Sequence, residues 1–142
     1  MLKSKKLCKN MPTIDKLSWF LVKDRTVLYV RAKGKELFFN PGGKREGSET
    51  DEQALTREIK EELGVGLVAG TFRHIQTFKA QAAGKPDGVM VESKCYTADH
   101  VGEPAPHSEI EELAWFTSAD MRRTSVTGQL ILRWLKEQDL ID

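Results

Sequence analysis

The chain is poor in cysteine, with only Cys8 and Cys95 among 142 residues. A disulfide framework therefore cannot carry its fold, and two free thiols are the expected state. Nowhere does it approach the ~18–20 consecutive apolar residues that a membrane-crossing helix needs. Its start, MLKSKKLCKN, is basic but lacks the apolar stretch of a signal peptide. A cytoplasmic location, with no membrane partner, is the default expectation. Charge of one sign is missing too: 22 basic and 21 acidic side chains leave a net +1. That balance makes no case for nonspecific nucleic-acid binding, and none is expected.

What is present suffices for one domain. Hydrophobic residues make up 39% and charged residues 30%, enough for a core without metal or disulfide staples. Residues 1–12 read as a flexible N-terminal segment with Lys3, Lys5, Lys6 and Lys9 in solvent. Residues 13–142 read as a single domain. A strand is expected over 16–23, with 26–31 as its partner across an Asp24-Arg25 turn. Leu37 to Phe39 form a brief apolar strand that ends at Pro41-Gly42-Gly43, where proline stops the strand and glycine opens other backbone angles. Extended segments follow at 67–80 and 88–98, joined through Gly84, Pro86 and Gly88. A short strand spans 112–117, Ser118 to Asp120 open a helical turn, and a last helix covers about 127–138. Its apolar face is Leu130, Ile131, Trp134 and Leu135. Trp115 and Phe116 are expected in the core, as is one of Trp19 and Phe20. His74, His100 and His107 show no metal-ligand spacing.

The most informative stretch is Gly43 to Val65, GKREGSETDEQALTREIKEELGV. A helix should begin near Ser48–Thr50, where Ser48/Asp51 or Thr50/Gln53 can form a capping box. Leu55, Ile59 and Leu63 recur every four residues and give it a buried face. Glu58, Glu61 and Glu62 lie together on another face. Gly64 supplies the stop. Three like charges that close repel, and a divalent cation that prefers oxygen removes the conflict. Magnesium suits best, with manganese as a substitute.

The spacing resembles the box of the Nudix hydrolases, MutT-like members included. In that box glycine, five residues, glutamate and seven residues precede Arg-Glu-apolar-x-Glu-Glu-x-Gly-apolar. Here the fixed positions are Gly43, Glu49, Arg57, Glu58, Ile59, Glu61, Glu62, Gly64 and Val65. The resemblance implies an α/β fold, a Nudix-type α/β/α sandwich with a mixed sheet between helices. Pattern reading alone supports only α/β or α+β.

The resemblance also implies roles. Glu58, Glu61, Glu62 and the carbonyl of Gly42 would ligate metal. Arg57 would orient a catalytic carboxylate through a salt bridge, with Glu49 in the same network. The general base would be Glu109, six residues before Trp115. Glu92, Glu111 and Glu112 compete for that role, as do Glu61 and Glu62 within the box. Arg31, Lys44 and Arg45 are candidates to grip substrate phosphates. Phe78 and Lys79 could border a base pocket. The implied reaction is metal-dependent cleavage of a nucleoside diphosphate linked to another moiety. A nucleoside triphosphate or modified nucleotide would yield a monophosphate and pyrophosphate. An ADP-sugar, a dinucleoside polyphosphate or a cytidine nucleotide is the alternative substrate. A non-catalytic nucleotide- or RNA-binding module is the alternative of another class. MutT-like enzymes read the purine with an asparagine before the last helix, where this chain has Ser125, Thr127 and Gln129. The partner is thus a small nucleotide, bound by a monomer or homodimer.

Overall fold

The computed structural model describes residues 12–142. The N-terminal segment expected at 1–12, and Cys8 with it, lies outside the described residues but for Pro12. Among the described residues, nine strands and two α-helices follow in order. They are β1 (Thr13–Trp19), β2 (Val22–Lys23), β3 (Thr26–Ala32), β4 (Gly42–Lys44), α1 (Asp51–Leu63) and β5 (Gly66–Leu67). Then come β6 (Arg73–Gln81), β7 (Met90–Thr97), β8 (His100–Val101), β9 (Ile110–Phe116), a 3-10 turn (Ser118–Arg123) and α2 (Val126–Glu137).

The strands form a mixed four-stranded sheet, β4-β1-β7-β6, an antiparallel three-stranded sheet, β2-β3-β9, and a small β5-β8 pair. Helix α1 packs with Leu17, Trp19, Leu28 and Val30 on one side. Helix α2 packs with Val27, Tyr29, Cys95 and Phe116 on the other. Successive β3 residues thus feed opposite cores, as strand alternation requires. The α/β/α sandwich expected from the resemblance is present.

Its strand pairing differs from the expected one. The 16–23 strand breaks at Phe20-Leu21. Only β2 joins β3 in the hairpin, with Asp24 and Arg25 at φ 52° and 60°, the twist that suits a two-residue turn. Strand β1 runs instead in parallel with β7 and antiparallel to β4. Because the chain changes sheets there, Trp19 and Phe20 are both buried. The 67–80 segment splits into β5 and β6 around a turn at Thr71. On α2 the buried face is Ile131, Leu132 and Leu135, with Leu130 and Trp134 at its margin. Phe116 is in the core as expected, whereas Trp115 is 42% exposed.

Candidate active site

Local sequence builds α1 as expected. Thr50 is the N-cap of a full capping box with Gln53, and Gly64 closes the helix in the left-handed region at φ 69°. Ala54, Leu55, Ile59 and Leu63 are its buried residues. That orientation turns Glu58, Glu61 and Glu62 toward a cleft of about 430 Å³, which Ala32, Phe39, Ser108, Glu109 and Ile110 also line.

The glycines ahead of α1 are there for space. A Cβ on Gly42, at φ 142°, would stand 1.9 Å from the Leu17 carbonyl oxygen. One on Gly43 would stand 2.5 Å from the Glu58 carboxylate. The Gly42 amide donates to Glu62 Oε1 at 2.9 Å, so the turn reaches the helix through its backbone.

Arg57 organises the carboxylates. Its Nε and Nη2 donate to the two oxygens of Glu49 at 2.8 and 2.9 Å, and its Nη1 donates to Glu58 Oε1 at 2.8 Å. Nη2 also reaches the Lys44 carbonyl at 3.1 Å. Glu61 lies 3.7 Å from Nη1 and is half exposed. The Arg57 bond, helped by the Glu46 amide, holds the Glu49 carboxyl down at about 2. Burial pushes Glu62 up to about 8 against the pull of the Gly42 amide and Lys16, with Glu58 and Glu61 adding to the rise. Burial likewise raises Glu58 despite the Arg57 contact.

The loop before β9 is docked on the end of α1. The Ala105 and His107 amides donate to the Leu63 and Glu62 carbonyls at 3.1 and 2.9 Å, and Ser108 Oγ donates to the Glu61 carbonyl at 3.1 Å. These bonds satisfy helix-end acceptors that would otherwise lack partners. They also deliver Glu109 to the cleft. A bulge follows at once: Arg31 pairs with Glu112 and Ala32 with Ile110, leaving Glu111 as the extra residue.

The remaining sequence candidates are placed differently. Arg31 donates twice to Glu112 Oε1, at 3.1 and 3.0 Å, and once to the Lys35 carbonyl. Arg45 is engaged by Asp15, Asp51 and the Glu49 carbonyl, so here it braces the loop into α1. Lys44 is exposed on β4. Glu92 sits on β7 in register with Asp15 and Lys79, away from the cleft lining. Sequence reading passed over Lys16, whose ammonium donates to the Asn40 carbonyl at 3.3 Å behind the glycine turn. A lysine beside buried Leu17 in an apolar strand was the available signal.

The donor set can hold a divalent cation. It is all oxygen, a glycine cradle admits the Glu58 carboxylate, and burial pushes Glu62 up to about 8 even with Lys16 nearby, a cost that a bound dication would relieve. Among the described residues the acidic groups are not yet gathered around one point. Glu58 is held by Arg57 and Glu62 by the Gly42 amide.

Residues 16–135 match the NUDIX domain family. The chain belongs to the Nudix hydrolase family. Nudix proteins typically depend on a divalent metal. It is 36% identical over 99 residues to the NAD-capped RNA hydrolase NudC of Vibrio vulnificus (strain CMCP6), a match covering 68% of this chain. The match spans about a third, 34%, of that relative's length. Among solved structures, a MutT Nudix hydrolase from Burkholderia pseudomallei superposes at TM-score 0.69 and 26% identity, covering 85% of this chain and 96% of that one. The ORF135 protein of E. coli gives the same TM-score at 22% identity, covering 94% and 98%, a likeness of fold. No helix among the described residues is long and apolar enough to cross a membrane.

Proposed function

We propose that this Nudix chain is a divalent-metal-dependent pyrophosphohydrolase. Its substrate is a nucleoside diphosphate linked to another moiety, foremost a nucleoside triphosphate or modified nucleotide. The products are a nucleoside monophosphate and pyrophosphate. It works as one domain over 13–142 on small nucleotides in the cytoplasm, as a monomer or homodimer. One observation carries this reading: Glu58, Glu61, Glu62 and Glu109 line a single cleft, braced from behind by Arg57.

Magnesium or manganese bound by Glu58, Glu61, Glu62 and the Gly42 carbonyl would neutralise phosphate charge and lower the pKa of a bound water. The protein's own contribution is placement. Arg57 fixes Glu58, and the Gly42 amide fixes Glu62. Glu109 accepts a proton from the attacking water, whose oxygen bonds to phosphorus as the P–O–P bridge breaks. The pyrophosphate oxygen leaves with the bridge electrons. A second, more apolar cleft of about 480 Å³, lined by Leu37, Phe38, Ala83 and Ser125, shares Phe39 with the first. It gives room for the organic part of the substrate.

A panel of nucleotides with magnesium, assayed for phosphate and pyrophosphate and repeated on Glu61→Gln, tests the reading. The expected loss is at least ~10²-fold in rate. An unchanged rate would remove the box from the chemistry. Tight binding without turnover on every panel member would favour the regulatory-module alternative. A dinucleotide pyrophosphate is the second substrate reading, supported by the 36% identity to a hydrolase of NAD-capped RNA. It belongs on the same panel.

A further inference from the structure

Lys16 leaves β1 on the face opposite Leu17, which is fully buried against α1. Its ammonium donates to the Asn40 carbonyl at 3.3 Å and lies 4.6 Å from the centroid of the Phe39 ring. No carboxylate among the described residues reaches ion-pair distance of it. Burial pulls its pKa down, while Glu62 and Glu58 favour its charged form through space. An ammonium has three donors, and among the described residues one long hydrogen bond engages them. A half-buried charge so lightly partnered is better satisfied when an anion joins it.

The place is informative as well. Phe39 is the wall common to the carboxylate cleft and the apolar cleft, and Lys16 sits against its ring. The two arginines that the sequence offered for phosphate are already held, Arg31 by Glu112 and Arg45 by Asp15 and Asp51. With Glu58 and Glu62 engaged by dications, their charge no longer offsets that of Lys16. A phosphate oxygen of a substrate lying across Phe39 is then the anion at hand.

Resting on the function proposed above, we infer that Lys16 is a substrate-binding residue whose ammonium takes a phosphate oxygen of the diphosphate. It is one-half of the binding arrangement, and the acidic cleft is the other. A methylene-bridged analogue that cannot be cut keeps the oxygens that Lys16 needs, so binding can be read without turnover.

The test is titration calorimetry with magnesium, using α,β-methylene-ATP and inorganic pyrophosphate as probes on wild type, Lys16→Met, Lys16→Gln and, as an exposed comparator on α2, Lys136→Met. Loss of a charge-assisted hydrogen bond should weaken both probes about 10-fold or more in each Lys16 variant. Manganese affinity without nucleotide, read by electron paramagnetic resonance, should stay within about 2-fold, since the ammonium is no metal ligand. Lys136→Met should bind like wild type. Unchanged probe affinity in folded Lys16 variants overturns the inference, as does an equal loss of manganese binding. A wild-type chain that binds neither probe overturns it too. Should both variants fail to fold, reductive methylation of wild-type Lys16, followed by mass spectrometry, decides: protection by magnesium pyrophosphate supports the assignment, and its absence overturns it. Probe binding that depends on Lys16 in a chain that hydrolyses nothing supports this inference while sinking the catalytic reading.

Discussion

Arg57 grips Glu49 at two points, Nε to Oε2 at 2.8 Å and Nη2 to Oε1 at 2.9 Å, while its remaining nitrogen holds Glu58. A flat guanidinium can do all of this at once, and a lysine ammonium cannot. The clamp therefore ties the loop carrying Glu49 to a carboxylate of the candidate metal set.

Arg57→Lys should lower turnover by roughly 10–100-fold, the range seen when a residue supporting a metal ligand is removed. Because Arg57 also bonds Glu58 directly, manganese binding should weaken as well. Steady-state kinetics with a manganese titration reads both, and wild-type turnover in the variant would contradict the role.

The same clamp governs acid stability. The Glu49 carboxyl falls from an ordinary 4.5 to about 2 in the folded chain. A depressed pKa stabilises the fold fully above the unfolded value and loses that effect as pH drops from about 4.5 toward 2. Thermal melts across this window should show wild type falling more steeply than Glu49→Gln. Parallel curves would remove Glu49 from the acid response.

The box was legible because its parts are close in sequence. Thr50, Gln53 and Gly64 set the ends of α1, and helical spacing puts Glu58, Glu61 and Glu62 together without reference to the rest of the chain. Pairing of β1 with β7 joins Ser18 to Cys95, a contact that no local pattern encodes. Lys16 escaped notice for the same reason: its partners, Phe39 and Asn40, come from a segment beyond the hairpin. Arg45 looked free because Asp15 and Asp51, which hold it, flank it only in three dimensions.

Adjacent glycines should fail in different ways. Gly42→Ala puts a Cβ against the backbone of Leu17 in a left-handed conformation, where strain alone costs about 1–3 kcal/mol. Its main effect should be a lower melting temperature. Gly43→Ala meets the Glu58 carboxylate first, a side chain that can move. That variant should fold nearly as well as wild type and lose manganese affinity and turnover. Calorimetric melts set beside manganese binding separate the two, and matching profiles would refute the distinction.

Glu62 carries the opposite linkage to Glu49. Its pKa rises from 4.5 to about 8 on folding, chiefly through burial. An acid that holds its proton more tightly when folded loses stability for the fold as pH climbs from about 4.5 through about 8. With chelator present at pH 9, Glu62→Gln should therefore melt above wild type. With magnesium added, wild type should gain stability and the variant should gain little, because ligand binding stabilises only the state that binds. A lower melting temperature for the variant in chelator would show that the carboxylate is not a cost to the fold.

Glu109 and Glu112 are three residues apart and should behave unlike each other. Glu109 lines the cleft with the three box glutamates, on a loop locked to the end of α1. Glu112 lies past the bulge and faces Arg31. If Glu109 takes the proton from the attacking water, Glu109→Gln should cost roughly 10²–10⁴-fold in turnover. It should also leave manganese affinity intact. Glu112→Gln removes a half-exposed ion pair, so stability should move by at most about 1 kcal/mol and turnover should stay near wild type. A large rate loss in Glu112→Gln with Glu109→Gln near wild type would exchange the two assignments and place the base beyond the bulge.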